Sequence, residues 1–355
     1  MRGDEKLCTL MFDEMAITPH FDYNRKKDKI TRFVNYEGNS IRKIADHVLV
    51  FMIRGIVKNS KQPIHYAFCT PKEILACLIK NIIQELNRRG FIVLALVCDQ
   101  GTSNTSAINY LIEETRVDYL KRNEILKHSV FEVEGKCVIP LYDVPHLLKG
   151  LRNNLITKNL KYTMDGQEKL AKWEHIKTLY ENSPTYKGLK LIKKLTENHC
   201  NKDKIPKMKV KYASQLFSQT VGKTMGYLAE NGTLSEDAKD TADLIIFVDN
   251  LFDSMNGSFK NCKTRSGKEL LKNVTPNSVH KNVWTHSKKI LKSMKFVSIT
   301  GSAGTVSSIN NWLHTIENME ILRDKLFYKH NIKSLWCRHL NQEARSNREF
   351  LWQYT

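Results

Sequence analysis

The most constraining feature of this chain is a set of three short apolar runs, each stopping on an aspartate. Leu7–Phe12 stops at Asp13, Phe91–Cys98 at Asp99 and Cys137–Tyr142 at Asp143. Apolar runs of this length, bounded by polar residues, read as buried strands. In open α/β sheets ligands gather beyond the carboxyl ends of strands, where loops and helix starts converge. An aspartate at one strand end commonly marks a turn. Carboxylates brought together at one edge repel each other unless a hard cation neutralises them, and Mg²⁺ or Mn²⁺, which take oxygen ligands, suit that role. Such ions can activate an attacking hydroxyl and stabilise the leaving oxygen of a phosphodiester.

The rest of residues 1–156 alternates strand and helix signals. Residues 29–36 alternate like a hairpin strand, 47–57 form a run covered on both faces, and 63–69 are β-rich. Thr70-Pro71 opens a helix through about Arg89, with Thr70 as N-cap, and another helix follows from about Ser103. Strands first, then helix–strand–helix–strand, predict an α/β domain with a mixed sheet. After about residue 157 the strand runs vanish. Residues 212–230 and 306–327 read as amphipathic helices, and Thr233-Leu-Ser-Glu236 has the form of a capping box opening a helix through Met255. The expected division is 1–156, then a mostly helical 157–335, then a returning segment 336–355.

Composition narrows the partner. Lys and Arg number 56 against 37 Asp and Glu, a formal net charge of +19. A surplus of this size favours polyanions. It is clustered: residues 187–211 hold nine lysines against two acids, and 257–295 hold ten Lys and Arg against Glu269. Lys193, Lys194, Lys209, Lys211, Lys288 and Lys289 in these clusters, with Lys149 and Arg152 after the third aspartate, are candidate DNA contacts. The competing reading of each cluster is a solvated helix face. No apolar run approaches the ~18 residues of a membrane span. The eight cysteines are scattered with no Cys-x2-Cys pair, which argues against a zinc finger and against a secreted disulfide framework. Free thiols fit a reducing compartment, and with a DNA partner the nucleus is the expected location.

The nucleotide signal in the residues themselves is weak. No G-x-x-x-x-G-K-[ST] loop occurs, and Gly301-Ser-Ala-Gly304 has glycines and hydroxyls but no lysine. Asn201-Lys202-Asp203-Lys204 departs from a guanine-reading Asn-Lys-x-Asp at its fourth position, so the match is read as chance.

The segments Phe12-Asp13-Glu14-Met15, Cys98-Asp99-Gln100-Gly101-x-x-Asn104 and Asp143-Val144-Pro145-His146-Leu147-Leu148-Lys149-x-x-Arg152 occur in that order. With Met208–Ser218, Leu251-Phe-Asp-Ser-Met-Asn256 and Leu340-Asn341-Gln342, they resemble the P-element-type transposases and their THAP-domain-containing relatives. The resemblance implies an RNase H-like mixed sheet interrupted by a mostly α-helical GTP-binding insertion domain. It implies DNA cleavage and strand transfer by two Asp and one Glu with Mg²⁺ or Mn²⁺. Asp13 and Asp99 would be catalytic metal ligands, with Asp143 and His146 supporting them. GTP binding rests on the resemblance alone, with no contact residue assigned. The chain departs from the pattern at the end. Where the family reads Asn-Gln-Asp-x-x-Glu-Asn, this sequence has Asn341-Gln342-Glu343-Ala344-Arg345-Ser346-Asn347, with Ser346 at the catalytic Glu. Glu349 (with Glu343 the other neighbour on roughly the same helical face) is the candidate replacement. The favoured expectation is a degenerate transposase core. The alternative is a non-catalytic, domesticated DNA- or GTP-binding module. No THAP-type zinc spacing occurs, so site-specific reading of transposon ends is not expected of these residues; a homo-oligomer is left open.

Overall fold

In the computed structural model the chain divides into two units, Met1–Asp143 with Asn318–Leu335 and His339–Thr355, and Val144–Glu317 with Trp336–Arg338. The structure describes residues 3–25, 28–31, 33–36, 39–68, 72–182, 185–186, 189–257, 268–298, 303–304 and 306–342. The division falls at Asp143, earlier than the boundary near 157 expected from texture, because the helix Val144–Thr157 is counted with the second unit.

Unit 1 is built on a six-stranded sheet. Its strands are β1 (Leu7–Ala16), β2 (His47–Gly55), β3 (Lys61–Phe68), β4 (Ile92–Cys98), β5 (Phe131–Val133) and β6 (Lys136–Tyr142). Their order is β3-β2-β1-β4-β6-β5. β1, β4 and β6 run parallel, while β2, β3 and β5 pair antiparallel at the flanks. The central strands are apolar because both faces are covered: all of Val48–Gly55 and Val93–Cys98 is buried. Helices α1 (Lys72–Arg88) and α2 (Thr102–Lys121) supply the cover by the apolar stripes Leu75, Ile79, Ile82, Ile83, Leu86 and Ile108, Leu111, Ile112. β3 lies at the sheet edge and is largely exposed. The expected cap Thr70-Pro71 lies outside the described residues. Residues 29–36 contribute to two separate hairpins, Asp22–Asn24 with Lys29–Thr31 and Phe33–Tyr36 with Asn39–Ile44, rather than one strand.

The chain returns to unit 1 through the last part of a long helix, Ser307–Asp324. Asn318, buried there, donates to the backbone oxygens of Ser129 at 3.0 Å and Pro140 at 2.8 Å. Lys325 donates to the Cys137 oxygen at 2.8 Å. The three bonds serve backbone carbonyls of β6 and of the segment just before β5.

Unit 2 is mostly helical, with α3 (Val144–Thr157), α4 (Trp173–Glu181), α5 (Gln219–Glu230), α6 (Ala238–Asn256) and α7 (His280–Ser293) as its main elements. It also contains a small sheet that the sequence did not announce. β7 (Asn159–Met164), β8 (Gln167–Ala171), β9 (Lys295–Val297) and Ala303–Gly304 form it in the order β8-β7-β9-Ala303. These strands are short and carry lysines, so no apolar run marks them. Two helix readings also change. The helix expected over 212–230 breaks at Phe217, and Ser218 caps α5 by accepting from the Val221 N–H. The expected capping box at Thr233 does not form; α6 starts at Ala238, and the capping box lies at Thr196 and His199. α5 and α6 pack closely because Gly222 faces α6: a Cβ there would lie 2.6 Å from Ile246 and 3.1 Å from the Ala242 oxygen. Among the described residues no helix is long and apolar enough to cross a membrane.

Candidate active site

The parallel strands β1 and β4 pair Met11 with Val97, and β6 pairs Tyr142 with Cys98 of β4. Continuing these registers sets Asp13 level with Asp99, and Asp143 level with the same residue from the other side. Neighbouring strands lie ~4.8 Å apart, so three consecutive strands deliver their aspartates to one edge. Asp13 is not at the end of its strand as expected. β1 runs on to Ala16, paired with β2 (Asp13 opposite Val50), while its pairing with β4 stops at Met11. The aspartate therefore sits where one neighbour has ended and a gap opens.

The electrostatics report the same convergence. Burial pushes the Cys98 thiol well above its ordinary value, and the charges of Asp99, Asp143 and Asp13 push it further, in that order. One buried sulfur thus feels all three carboxylates.

Neutral donors reach each of the three carboxylates. Asp99 accepts from the Gly101 N–H at 2.9 Å and the Asn104 amide at 2.5 Å. Gly101 permits this: a Cβ there would lie 3.0 Å from the Asp99 carboxylate oxygen. Asp13 accepts from the Glu14 N–H at 3.0 Å. Asp143 is fully buried; its N–H donates to the Cys98 oxygen at 2.8 Å and its carboxylate accepts the Gln342 N–H at 2.6 Å. Gln342 also donates its side-chain amide to the Phe12 oxygen, tying the returning chain to the residue before Asp13. Among the described residues the buried Gln342 side-chain oxygen meets no hydrogen-bond donor. An orphaned oxygen beside three carboxylates is a donor set that suits a hard cation. Among the described residues, no three His, Cys, Asp or Glu side chains close around one point at ligand distance. Glu343 and Glu349, from which a further carboxylate would come, and Ser346 lie outside the described residues.

His146 is half-buried on α3, in the second unit by the contact division. Of the candidate DNA contacts, Lys193, Lys194, Lys209, Lys211 and Lys289 are exposed and Lys288 is half-buried. Two change meaning. Arg152 is 1% exposed and donates to the backbone oxygens of Lys207 at 2.6 Å and Lys209 at 3.5 Å, as well as to Asn153. Lys149 is buried beside it on α3. Arg152 satisfies carbonyls of an irregular segment of unit 2 and is not available to a phosphate backbone. Asn201 donates to Glu197 at 3.2 Å and accepts the Asp203 N–H at 3.1 Å, so its amide is used locally. The cleft there, about 360 Å³, is lined by Glu174, Glu181, Glu197 and Asp203 as well as lysines, a poor match for a triphosphate.

Sequence reasoning quoted Asn104 and Gln342 within motifs but gave them no role. It gave no role to the buried acids Asp249 and Asp253 on α6, although an aspartate pair at i, i+4 in an apolar helix was a visible signal. Lys268 pairs with both, at 3.2 and 2.6 Å. Burial, then the charge of Asp253, raises Asp249 to about 6, against the lowering influence of Lys268.

Comparison with known proteins agrees with this architecture. Residues 1–112 match the family model of the TNP-like RNase H N-terminal domain, and residues 145–268 match that of the TNP-like GTP-binding insertion domain. The Transposable element P transposase of Drosophila melanogaster is 32% identical over 275 residues, 75% of this chain. The chain spans 33% of that relative's length. The structure of the Drosophila P element transposase strand transfer complex superposes with a TM-score of 0.75 at 22% identity, covering 98% of this chain and 71% of that one, which is a likeness of fold. An RNase H-like sheet, an insertion domain leaving it after the third aspartate and matches to both TNP-like domain models are what this chain shares with the P-element-type transposases.

Proposed function

We propose that this chain is the core of a DNA strand-cleaving and strand-transferring enzyme whose metal site is weakened at its third acid. The observation that supports it most is the convergence of Asp13, Asp99 and Asp143 on Cys98 at the carboxyl edge of three parallel strands. Asp13 and Asp99 would hold the divalent cation, Mg²⁺ or Mn²⁺, which when bound polarises a phosphodiester and activates the attacking hydroxyl. The protein's own residues orient this site. Asn104 and Gly101 fix the Asp99 carboxylate, while Asp143 and Gln342 fasten the returning chain beside Phe12. That fastening sets Gln342, the last described residue of the chain, beside Asp143 and Phe12 at this edge. In this reading Asp143 is a positioning residue.

Ser346 supplies a neutral hydroxyl where the family pattern has Glu, so charge balance around a divalent ion is poorer. That substitution is what favours the second reading, a binding module that keeps the fold without the chemistry. GTP binding by the insertion domain, action on DNA in the nucleus and self-association are further parts of the proposal. The test is a Mn²⁺-dependent nicking assay on this chain beside Ser346→Glu. Little nicking by the unmodified chain and at least tenfold more by the variant is the expected result. Robust nicking by the unmodified chain that Glu349→Gln abolishes would make Glu349 the third acid and overturn the weakened-site reading. No nicking by either, with DNA still bound, would favour the binding module.

A further inference from the structure

Between Leu270 and Ile316 the sequence carries six lysines and no carboxylate. α7 lies in this stretch, and its two faces differ sharply. Trp284, Ile290 and Leu291 are buried in unit 2, and Trp284 donates its indole N–H to Ser254 at 3.1 Å. The exposed residues are Lys281, Asn282, Thr285, His286, Lys289 and Lys292. The face continues onto the small sheet. Ser293, at the end of α7, accepts the Thr163 N–H of β7 at 2.8 Å, and β7 pairs with β9. There Lys161 and Lys295 stand directly opposite each other, both exposed. Glu168 offsets Lys161 at 2.9 Å on its other side.

Folding does not explain this arrangement. Like charges directly opposite on paired strands are destabilising. Lys292, in the last turn of α7, is favoured by the helix dipole, but Lys281, in the first turn, is opposed by it. Cations kept where they cost stability, with no acid on the same helix, point to an anion that comes from outside. The span matters too. From Lys281 to Lys292 is eleven residues, roughly 16 Å along a helix at ~1.5 Å per residue, so the anion must be extended. A lipid surface fits poorly, because interfacial helices turn an apolar face to the bilayer and the apolar face of α7 is inside the unit. Lysines interleaved with asparagine, threonine and histidine are the donors that contact phosphate and sugar without reading bases.

We propose that the exposed face of α7, continued by Lys295 and Lys161, is a sequence-blind binding surface for the phosphate backbone of DNA, carried by unit 2 and separate from the carboxylate edge. It rests on the functional reading above only for the choice of DNA as the polyanion.

The test uses the whole chain in EDTA, so that cleavage plays no part. Fluorescence anisotropy with a random-sequence 30-base-pair duplex is compared for the native chain, the variant K281Q/K289Q/K292Q/K295Q, the corresponding four-arginine variant, and a control K202Q/K204Q/K223Q on other exposed lysines of unit 2. Each phosphate contact contributes about 0.9 to the slope of log K against log salt. The four-glutamine variant is expected to lose about 3 from that slope and at least tenfold in affinity. The arginine variant should retain both, and the control should lose less than half as much. Matching circular-dichroism melts establish that the variants are folded. Native-like affinity and slope in the four-glutamine variant would overturn the proposal. So would preferential binding of anionic phosphatidylserine vesicles over duplex. The outcomes separate from those of the nicking assay: loss of binding on α7 without any nicking leaves this proposal standing while the catalytic reading falls, and the reverse pattern does the opposite.

Discussion

Each unit gathers aspartates, and it treats them differently. On α6, Asp249 and Asp253 sit one turn apart in an apolar helix, and Lys268 answers both of them from the same unit. At the sheet edge of unit 1, Asp13, Asp99 and Asp143 arrive from three strands, and the donors on them described above are backbone N–H groups and an asparagine amide. A lysine cancels charge; an N–H or an amide directs it. Asp249 and Asp253 share a cation of their own unit, whereas backbone N–H groups and the Asn104 amide aim the carboxylates at the sheet edge. The comparison teaches that buried acids alone do not mark a metal site, and that what faces them decides.

The largest effect that could break this comparison is on divalent-ion binding. Asp13→Asn or Asp99→Asn is expected to weaken Mn²⁺ binding about a hundredfold, roughly 2.7 kcal/mol, read by electron paramagnetic resonance of free Mn²⁺. Asp253→Asn should change it less than threefold. Equal losses in all three variants would mean that unit 2 holds the ion.

Next in size is the pH dependence of unit 2. Asp249 is raised to about 6 in the folded chain, whereas an unfolded aspartate titrates near 3.9. For an acid raised on folding, the favourable contribution is complete below the unfolded value and is lost as pH climbs through the folded one. Stability should therefore fall between about pH 4 and 6 by an amount on the order of 2 kcal/mol. Asp249→Asn should flatten that segment of the urea-denaturation profile. Lys268→Met should move its upper limit to higher pH, since the lysine opposes the rise. An unchanged profile in Asp249→Asn would assign the slope to another group.

The smallest effect concerns Asp143. If it fastens the returning chain, Asp143→Asn weakens the bond to the Gln342 N–H by about 1 kcal/mol. Hydrogen exchange at that amide should then quicken roughly fivefold, with Mn²⁺ affinity nearly unchanged. A Mn²⁺ loss as large as that of Asp99→Asn would make Asp143 a ligand.

Much of unit 1 was legible because its strands are buried on both faces, and such strands are written as unbroken apolar runs. Val93–Cys98 needs no partner to be recognised. The aspartates were legible for a related reason, since a charge after such a run can only lie at the sheet's edge. The β7–β9 strands were not legible: three to six residues, half of them polar, look like loop until β7 pairs with β9, Lys161 opposite Lys295 134 positions away. Arg152 was misread for a physical reason as well. A long cation shows its charge in the sequence, but not whether carbonyls of a distant irregular segment will enclose it.

What the sequence determined by itself is the class of unit 1, the order of the three acids, the switch to a helical second unit and the surplus of positive charge. These follow from local composition and period, which each segment carries alone. Only the tertiary structure decided which acids are answered by a lysine, which lysines face outward, and that Gln342 closes on Asp143 from 199 residues away along the chain and on Phe12 from 330. Pairing, burial and exposure are relations between distant segments, set by which surfaces exclude water together, and no window of sequence contains them.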